Sequence, residues 1–373
     1  MKYTFICISD LHFGHPNTES MAIELRENFL KFLKESSYKK CVVNVLGDLF
    51  DKKISMTATS AVLVINFIHE LLAICSAKNY KLRIILGTKS HDLSQLAIFS
   101  NLTFTSVDPG EHDFNIYYNV TKEEIFSENL QVLYLPEEYV VSQEEYYKNF
   151  FNKQYDIVFG HGTISHVAFK NQKILSEKPI QSAPVFDANT LSKLSKSYVV
   201  FGHIHVHQKY KNILIPGSFS RWAYGETKDK GFLIITYNSE TGKKNFDFIV
   251  NDLAPKYNTI NFNDVEGSSI EEKIKSINEL KKKYKNLRIV NDNKDLDVTI
   301  LETHFKNDDN IKIQNKANQL LQEEDEEENQ EYMFLNKDSL EIEEKIRKYI
   351  KTKFGVKIKT EFIKDFIFEK ASK

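Results

Sequence analysis

The sequence predicts an α/β fold whose strands are covered on both faces. Through the first two-thirds of its 373 residues, short apolar runs alternate with stretches of helical periodicity. Several of those runs are apolar at nearly every position, the pattern of strands with a layer on each side. The ionisable residues gather where the runs stop, as in open sheets that bind ligands beyond their carboxyl ends.

Six runs read as strands: Tyr3–Ser9, Cys41–Leu46, Leu82–Leu86, Gln131–Leu135, Asp156–Phe159 and Tyr198–Phe201. Between them, Glu19–Lys34 sets Ile23, Leu25, Phe29, Leu30 and Leu33 mostly along one side at helical spacing. Thr57–Lys78 is apolar on most sides and reads as a deeply buried helix. Ile213–Ile215, Gly231–Tyr237 and Phe246–Val250 form a last β segment. Composition shifts after Pro255. A Lys- and Glu-rich helix over Ser268–Tyr284, capped by Ser268 or Ser269, precedes strands at Leu287–Val290 and Asp297–Glu302, giving a small α+β unit. The acidic run Glu323–Glu328 reads as a solvated linker. Beyond it, Asp338 and Glu341 fit a capping box ahead of Ile342, Ile346, Tyr349 and Ile350, and Gly355 ends that helix. Phe362, Ile363, Phe366 and Ile367 give Thr360–Lys370 a second apolar face. The expected division is 1–253, 254–320, 321–337 and 338–373.

Composition limits the function classes. With 50 Lys and Arg against 52 Asp and Glu, the net charge is −2, so any nucleic-acid surface must be local. A 41% hydrophobic content excludes general disorder. Cys7, Cys41 and Cys75 stand far apart in apolar surroundings and read as core residues of a reducing compartment. The apolar start reaches Asp10 and His12 at once, unlike a signal peptide, and Ala61–Cys75 is broken by Asn66, His69 and Glu70 before it could span a bilayer. The expectation is a cytoplasmic protein with no membrane segment.

Five strand ends carry the chemistry: Ser9-Asp10-Leu11-His12, Gly47-Asp48-Leu49-Phe50-Asp51, Gly87-Thr88-Lys89-Ser90-His91-Asp92, Phe159-Gly160-His161-Gly162 and Phe201-Gly202-His203-Ile204-His205. The i, i+2 spacing of Asp10 with His12 and of His203 with His205 sets each pair on one side of an extended segment. A single histidine beside an apolar strand is usually a hydrogen-bonded core residue. Five strand ends in order are a different matter. Two carboxylates (Asp10, Asp48) and four imidazoles (His12, His161, His203, His205) exceed the needs of one tetrahedral ion, so two metal ions are expected, of the Mn, Fe or Zn type. His69, His112, His166 and His207 have ordinary structural readings. His15 stays a candidate because it directly follows the first loop.

These residues resemble the calcineurin-like metallophosphoesterase superfamily, whose blocks run D-x-H, G-D, G-N-H-D, G-H and G-H-x-H. Within it the chain looks most like the SbcD-type DNA-repair nuclease subunits, including those of tailed phages. Ser9-Asp10-Leu11-His12-Phe13-Gly14 is close to S-D-x-H-L-G, and Gly47-Asp48-Leu49-Phe50-Asp51 matches G-D-L-F-D. Pro216-Gly217-Ser218, Arg221, Gly225-Glu226 and Lys230-Gly231 resemble that group's P-G-S…R…G-E…K-G hairpin.

The resemblance implies a four-layer α/β/β/α sandwich with a small α+β capping domain and C-terminal helices. It implies one metal on Asp10, His12 and His205, a second on His161 and His203, and Asp48 bridging them, with Mn²⁺ the implied ion. His91 would act on the phosphate and leaving group, oriented by Asp92, while His15 and Arg221 would contact substrate. One block departs: the family's metal-binding Asn is absent, two residues are inserted, and Ser90 stands beside the histidine. Ser90, Thr88 or water would then complete the ligand set of the second ion.

The implied activity is a Mn²⁺-dependent exonuclease or single-strand endonuclease in an SbcCD-like repair and recombination complex. Its partners would be DNA, an SbcC-type coiled-coil ATPase docked on the C-terminal helices, and a second copy of the chain, to which Thr57–Lys78 would contribute. Lys273, Lys275, Lys281, Lys282, Lys283, Lys285 and Arg288 offer a basic face on the capping unit, offset by Glu271, Glu272 and Glu279. A stand-alone nucleotidase or cyclic-nucleotide phosphodiesterase, and an inactive DNA- or partner-binding scaffold, are the alternatives.

Overall fold

Alternation along the first strand shows how the layers arise. In β1 (Lys2–Ile8), Tyr3, Phe5 and Cys7 face one way and Ile6 and Ile8 the other, and all five are buried, because the strand has a layer on each side. The structure, a computed structural model, describes residues 1–92, 95–100, 113–126, 130–165, 183–292, 298–308 and 310–315. The chain divides into a larger unit, Met1–Thr259 with Lys275–Arg288, and a smaller one, Ile260–Ile274 with Ile289–Lys373.

Two six-stranded sheets make the larger unit. The first contains β1, β2 (Cys41–Leu46), β3 (Lys81–Ile85) and β4 (Phe114–Tyr117) in parallel, then β13 (Gly231–Asn238) and β14 (Lys244–Val250) antiparallel beyond β1, in the order β14-β13-β1-β2-β3-β4. The second has β5 (Thr121–Ile125), β6 (Leu130–Leu135), β7 (Ile157–His161), β10 (Val199–Gly202), β11 (Gln208–Tyr210) and β12 (Ile213–Ile215), in the order β11-β12-β10-β7-β6-β5. Its central strands β6, β7, β10 and β12 are parallel. The short strands β8 (Thr163–Ser165) and β9 (Val185–Asp187) pair with each other in parallel.

Three cores separate four layers. Phe5, Val42, Leu46, Ile85, Tyr134, Phe159, Val200 and Leu233 fill the space between the sheets. Outside the first sheet, Ile6, Val43 and Ile84 pack with Phe29 and Leu33 and with Ile68 and Leu71. Outside the second, Leu133, Val158 and Phe201 pack with Leu191 and Leu194. This is the α/β/β/α arrangement. Helix Thr59–Ala77 has mean hydropathy 1.8 and is long and apolar enough to cross a bilayer; Ala61, Val64, Phe67, Ile68, Leu71, Leu72, Ile74 and Cys75 are buried in the chain's own core.

Sequence and structure differ in three elements. The expected helix Glu19–Lys34 runs from Thr18 to Glu35 with its middle, Leu25–Leu30, wound as a π-helix. Strands β4 and β5 were not expected, being short and half-polar. The expected strand Asp297–Glu302 is instead a helix over Thr299–His304: its β-branched residues suit a strand, yet Val298, Leu301 and Phe305 are the buried ones, at helical spacing. Helix Ile270–Lys283 and strand β16 (Asn286–Asn291) lie close to expectation, and β16 is central in a three-stranded sheet between β15 (Tyr257–Asn261) and β17 (Ile311–Asn315). The acidic linker and both C-terminal helices lie outside the described residues, as do His112 and His166.

One charged side chain lies between the sheets. Arg83 on β3 is 1% exposed, donates to both Glu123 oxygens on β5 through Nε (3.0 and 3.1 Å), and reaches Asp113 (2.5 Å) through Nη2. Removing one partner of a fully buried pair costs about 3–5 kcal/mol. Asp113 and Glu123 keep some access to water, so Arg83→Met is expected to lose less, about 2–3 kcal/mol, in chemical unfolding.

Candidate metal centre

The parallel strands of both sheets end on the same side, and the polar loops converge there. Gly87 and Gly202 permit the approach: a Cβ on Gly87 would collide with the Asp48 backbone, and one on Gly202 with Ser9 Oγ and the Leu46 carbonyl. Four polar residues in these loops, Asp10, His12, Asp48 and His203, have positive φ (54°, 50°, 50° and 89°). Non-glycine residues persist there only where the surroundings over-determine them, which is common at functional sites.

Among the described residues, three sets of ligand atoms each fall within 4.8 Å of one another: Asp10, His12 and His205; His12, Asp48 and His91; Asp48, His161 and His203. Asp48 and His12 are each shared by two sets. His12 Nε2 lies 3.1 Å from His205 Nε2, and Asp48 Oδ1 lies 3.3 Å from His161 Nε2.

Proton placement shows that these residues fit cations. His161 Nδ1 donates to the Leu46 carbonyl (2.7 Å), so in a neutral ring Nε2 carries the lone pair. That Nε2 is buried, makes no hydrogen bond, and faces the Asp48 and Glu137 carboxylates at 3.3 and 3.8 Å. His205 Nδ1 donates to Glu226 (3.2 Å), leaving its Nε2 lone pair facing His12. Lone pairs turned toward one another or toward carboxylates require a proton or a metal ion between them. Mixed imidazole and carboxylate donors are those of Mn, Fe or Zn.

The ionisation pattern agrees. Burial would raise the Asp48 carboxyl, but His161, with a contribution from His91, holds it well below the usual range. Burial would lower His161, yet Asp48 pushes it up to about 10 when no metal is bound. Burial drives His12 well down and, helped by His161, takes His203 down to about 4.

The expected site residues separate into groups. Asp10, His12, Asp48, His91, His161, His203 and His205 are brought together. His15 stands at the rim with its ring edge against Trp222 (4.9 Å), whose ring also meets His12 (5.8 Å). Asp92 is engaged by the backbone of two loops. Its carboxylate accepts the backbone N–H groups of Phe50 (3.1 Å) and Gly87 (2.9 Å), tying two of the loops together, and burial with Asp48 nearby raises it to about 7. Ser90 is exposed, because Lys89–Asp92 forms a helical turn that sends His91 and Asp92 inward and Ser90 outward. Thr88 is the inward residue, its N–H 2.6 Å from Asp48 Oδ1. Arg221 is not free for substrate: its guanidinium donates to the carbonyls of Glu226, Ala254 and Lys228 at 3.0, 3.1 and 3.0 Å.

Two carboxylates beside the centre were not assigned from sequence. Glu226 orients His205 and accepts the Trp222 N–H (2.7 Å), while Lys230 approaches it (3.4 Å) and holds the His205 carbonyl (2.7 Å). Burial would raise Glu226, but His205 and Lys230 take it down to about 2. Glu226 and Lys230 of the hairpin thus form a buried brace behind His205. Glu226→Gln is expected to weaken metal binding by about 10–100-fold, the usual cost of losing such a partner, as measured by calorimetric titration. Glu137, just past β6, points to His161 and His203.

No family model matches the chain. Over 261 residues it is 25% identical to a protein named "Putative phosphoesterase 244L" from Invertebrate iridescent virus 6, spanning 67% of this chain and 84% of the relative. Among solved structures it is similar to GAP50, the anchor in the inner membrane complex of Plasmodium (TM-score 0.40, 13% identity, 67% of this chain and 85% of that one). It is also similar to the Thermus thermophilus protein TT1561 (TM-score 0.33, 12% identity, 66% and 99%). The viral relative carries a phosphoesterase name, and this chain's own residues offer three candidate sets of metal-ligand atoms among the described residues.

Proposed function

We infer that the chain is a two-metal phosphodiesterase and, more finely, the Mn²⁺-dependent nuclease subunit of an SbcCD-like DNA repair complex. The observation that carries the phosphoesterase reading is the sharing of Asp48 and His12 among three ligand sets at the ends of parallel strands. Asp10, His12 and His205 would hold one cation and His161 and His203 the other, with Asp48 between. Such a pair, when bound, supplies Lewis acidity toward a phosphoryl oxygen and a water nucleophile at neutral pH. His91, whose Nδ1 is 3.2 Å from Asp48 Oδ2, would give a proton to the departing oxygen. Asp92 positions the loop that carries His91, and Trp222 with His15 forms an aromatic rim.

The finer reading rests on the hairpin between Pro216 and Gly231, whose residues resemble those of SbcD-type subunits and whose buried Glu226 and Lys230 brace His205. Of the basic residues after Pro255, several are engaged within the chain. Lys273 donates to the Phe262 carbonyl (2.9 Å), Lys282 pairs with Glu279 (2.7 Å), and Arg288 lies over the Tyr224 ring (4.8 Å). DNA contact would therefore draw on exposed cations such as Lys275. Residues 338–373, expected from sequence to be helical, would dock on the ATPase. The exposed side of Thr59–Ala77, with Val62, Asn66, His69 and Ala73, would meet a second copy, in the cytoplasm of a bacterial or phage-infected cell.

The test compares bis(p-nitrophenyl) phosphate with p-nitrophenyl phosphate in Mn²⁺ and in EDTA. Faster turnover of the diester, abolished by EDTA, is expected. A preference for the monoester would favour a nucleotidase, and turnover unaffected by EDTA would contradict the metal-dependent reading.

A further inference from the structure

We propose that Glu137 is a direct ligand of the second cation, filling the place left by the absent carboxamide in the Gly87–Asp92 loop. The inference rests on the two-cation reading and concerns a residue from a different strand end. After β6 the chain turns at Pro136, and the Glu137 N–H donates to the carbonyl of Leu86, the residue before Gly87. The side chain is thereby delivered to the end of β3, where the inserted residues have turned Ser90 outward.

Its carboxylate is directed inward. Glu137 is 2% exposed, with Oε2 3.6 Å from His203 Nδ1, 3.8 Å from His161 Nε2 and 3.4 Å from Thr88 Oγ1. Thr88 Oγ1 in turn lies 3.2 Å from Asp48 Oδ2. Glu137 Oε1 accepts from Tyr139 Oη (2.8 Å), which fixes the carboxylate and leaves Oε2 turned toward the two imidazoles. His161 Nε2, fully buried and without a hydrogen bond, is aimed into the same space. A buried carboxylate oxygen facing two imidazole nitrogens at 3.6–3.8 Å, beyond hydrogen-bond distance from both, is suited to sharing a cation with them. Exchanging a neutral carboxamide for a carboxylate adds one negative charge, which holds the ion more strongly.

The alternative role is a buried acid serving only Tyr139 and Thr88. Metal stoichiometry by mass spectrometry and calorimetric titration with Mn²⁺ distinguishes the two for wild type, Glu137→Ala, Glu137→Gln and Tyr139→Phe, with circular dichroism reporting the fold. Wild type is expected to hold two ions per chain and Glu137→Ala one. Glu137→Gln should be folded and bind its second ion at least about 100-fold more weakly, beyond the ~10–100-fold cost of losing an outer partner. Tyr139→Phe should retain both ions. If Glu137→Ala or Glu137→Gln binds two ions as tightly as wild type, the assignment of Glu137 fails and the metal site stands. A Tyr139→Phe loss as large as that of Glu137→Gln also overturns the direct-ligand role. Wild type holding no metal overturns the two-cation reading itself.

Discussion

Asp48→Ala is expected to lose both cations and at least about 10³-fold in kcat/KM toward a phosphodiester, since a metal supplies several kcal/mol of transition-state stabilisation. Asp48 belongs to two of the three ligand sets, and its oxygens face His161 on one side and His91 on the other. Two of the three sets are incomplete without it, and the third, Asp10, His12 and His205, loses the carboxylate proposed to join its cation to the second one. The variant should fold, because Asp48 is an acceptor rather than packing bulk, but the rise in unfolding temperature that Mn²⁺ is expected to give the wild type should be absent. Metal analysis after gel filtration measures the loss directly. Two ions retained in Asp48→Ala would remove Asp48 from the centre.

His91→Ala is expected to reduce kcat by about 10²–10⁴-fold, the range for general acid–base help, while both ions remain bound. The geometry makes this a discriminating experiment. His91 Nδ1 is 3.2 Å from Asp48 Oδ2 and the ring meets His12 edge-on at 5.1 Å, so the side chain could be a ligand or a proton donor. Loss of an ion along with activity would make it a ligand. Loss of turnover alone, most marked for substrates with poor leaving groups, is the outcome expected of a proton donor.

Much of the fold and the centre was legible because both follow from local pattern. Strands buried on two faces announce themselves as uninterrupted apolar runs, and ligands at strand ends are adjacent in sequence to those runs. Residues whose contacts differ from those expected depend on features the pattern does not encode. Arg221 looks like a free cation near the last histidine pair, yet three backbone carbonyls take up its donors, one of them more than thirty residues away at Ala254. Asp92 looks like a partner for its neighbour His91, but the helical turn directs its carboxylate to two loop amides. Glu137 went unnoticed because Leu135-Pro136-Glu137-Glu138 reads as a polar turn. Its signal was present all the same: β6 is another buried strand, and the carboxylate stands where that strand ends. The π-wound turn at Leu25–Leu30 leaves the apolar spacing nearly unchanged, so periodicity could not detect it.

The most direct test of the account is cleavage of end-labelled single- and double-stranded DNA in Mn²⁺, Mg²⁺ or EDTA, with mononucleotide hydrolysis measured in parallel. Mn²⁺-dependent DNA cleavage that disappears in EDTA and in Asp48→Ala, with little release of phosphate from nucleotides, is the predicted result. Brisk nucleotide hydrolysis with intact DNA would contradict the nuclease reading and leave a small-molecule phosphoesterase. Intact DNA and intact nucleotides in a chain that holds two ions would contradict catalysis by this site.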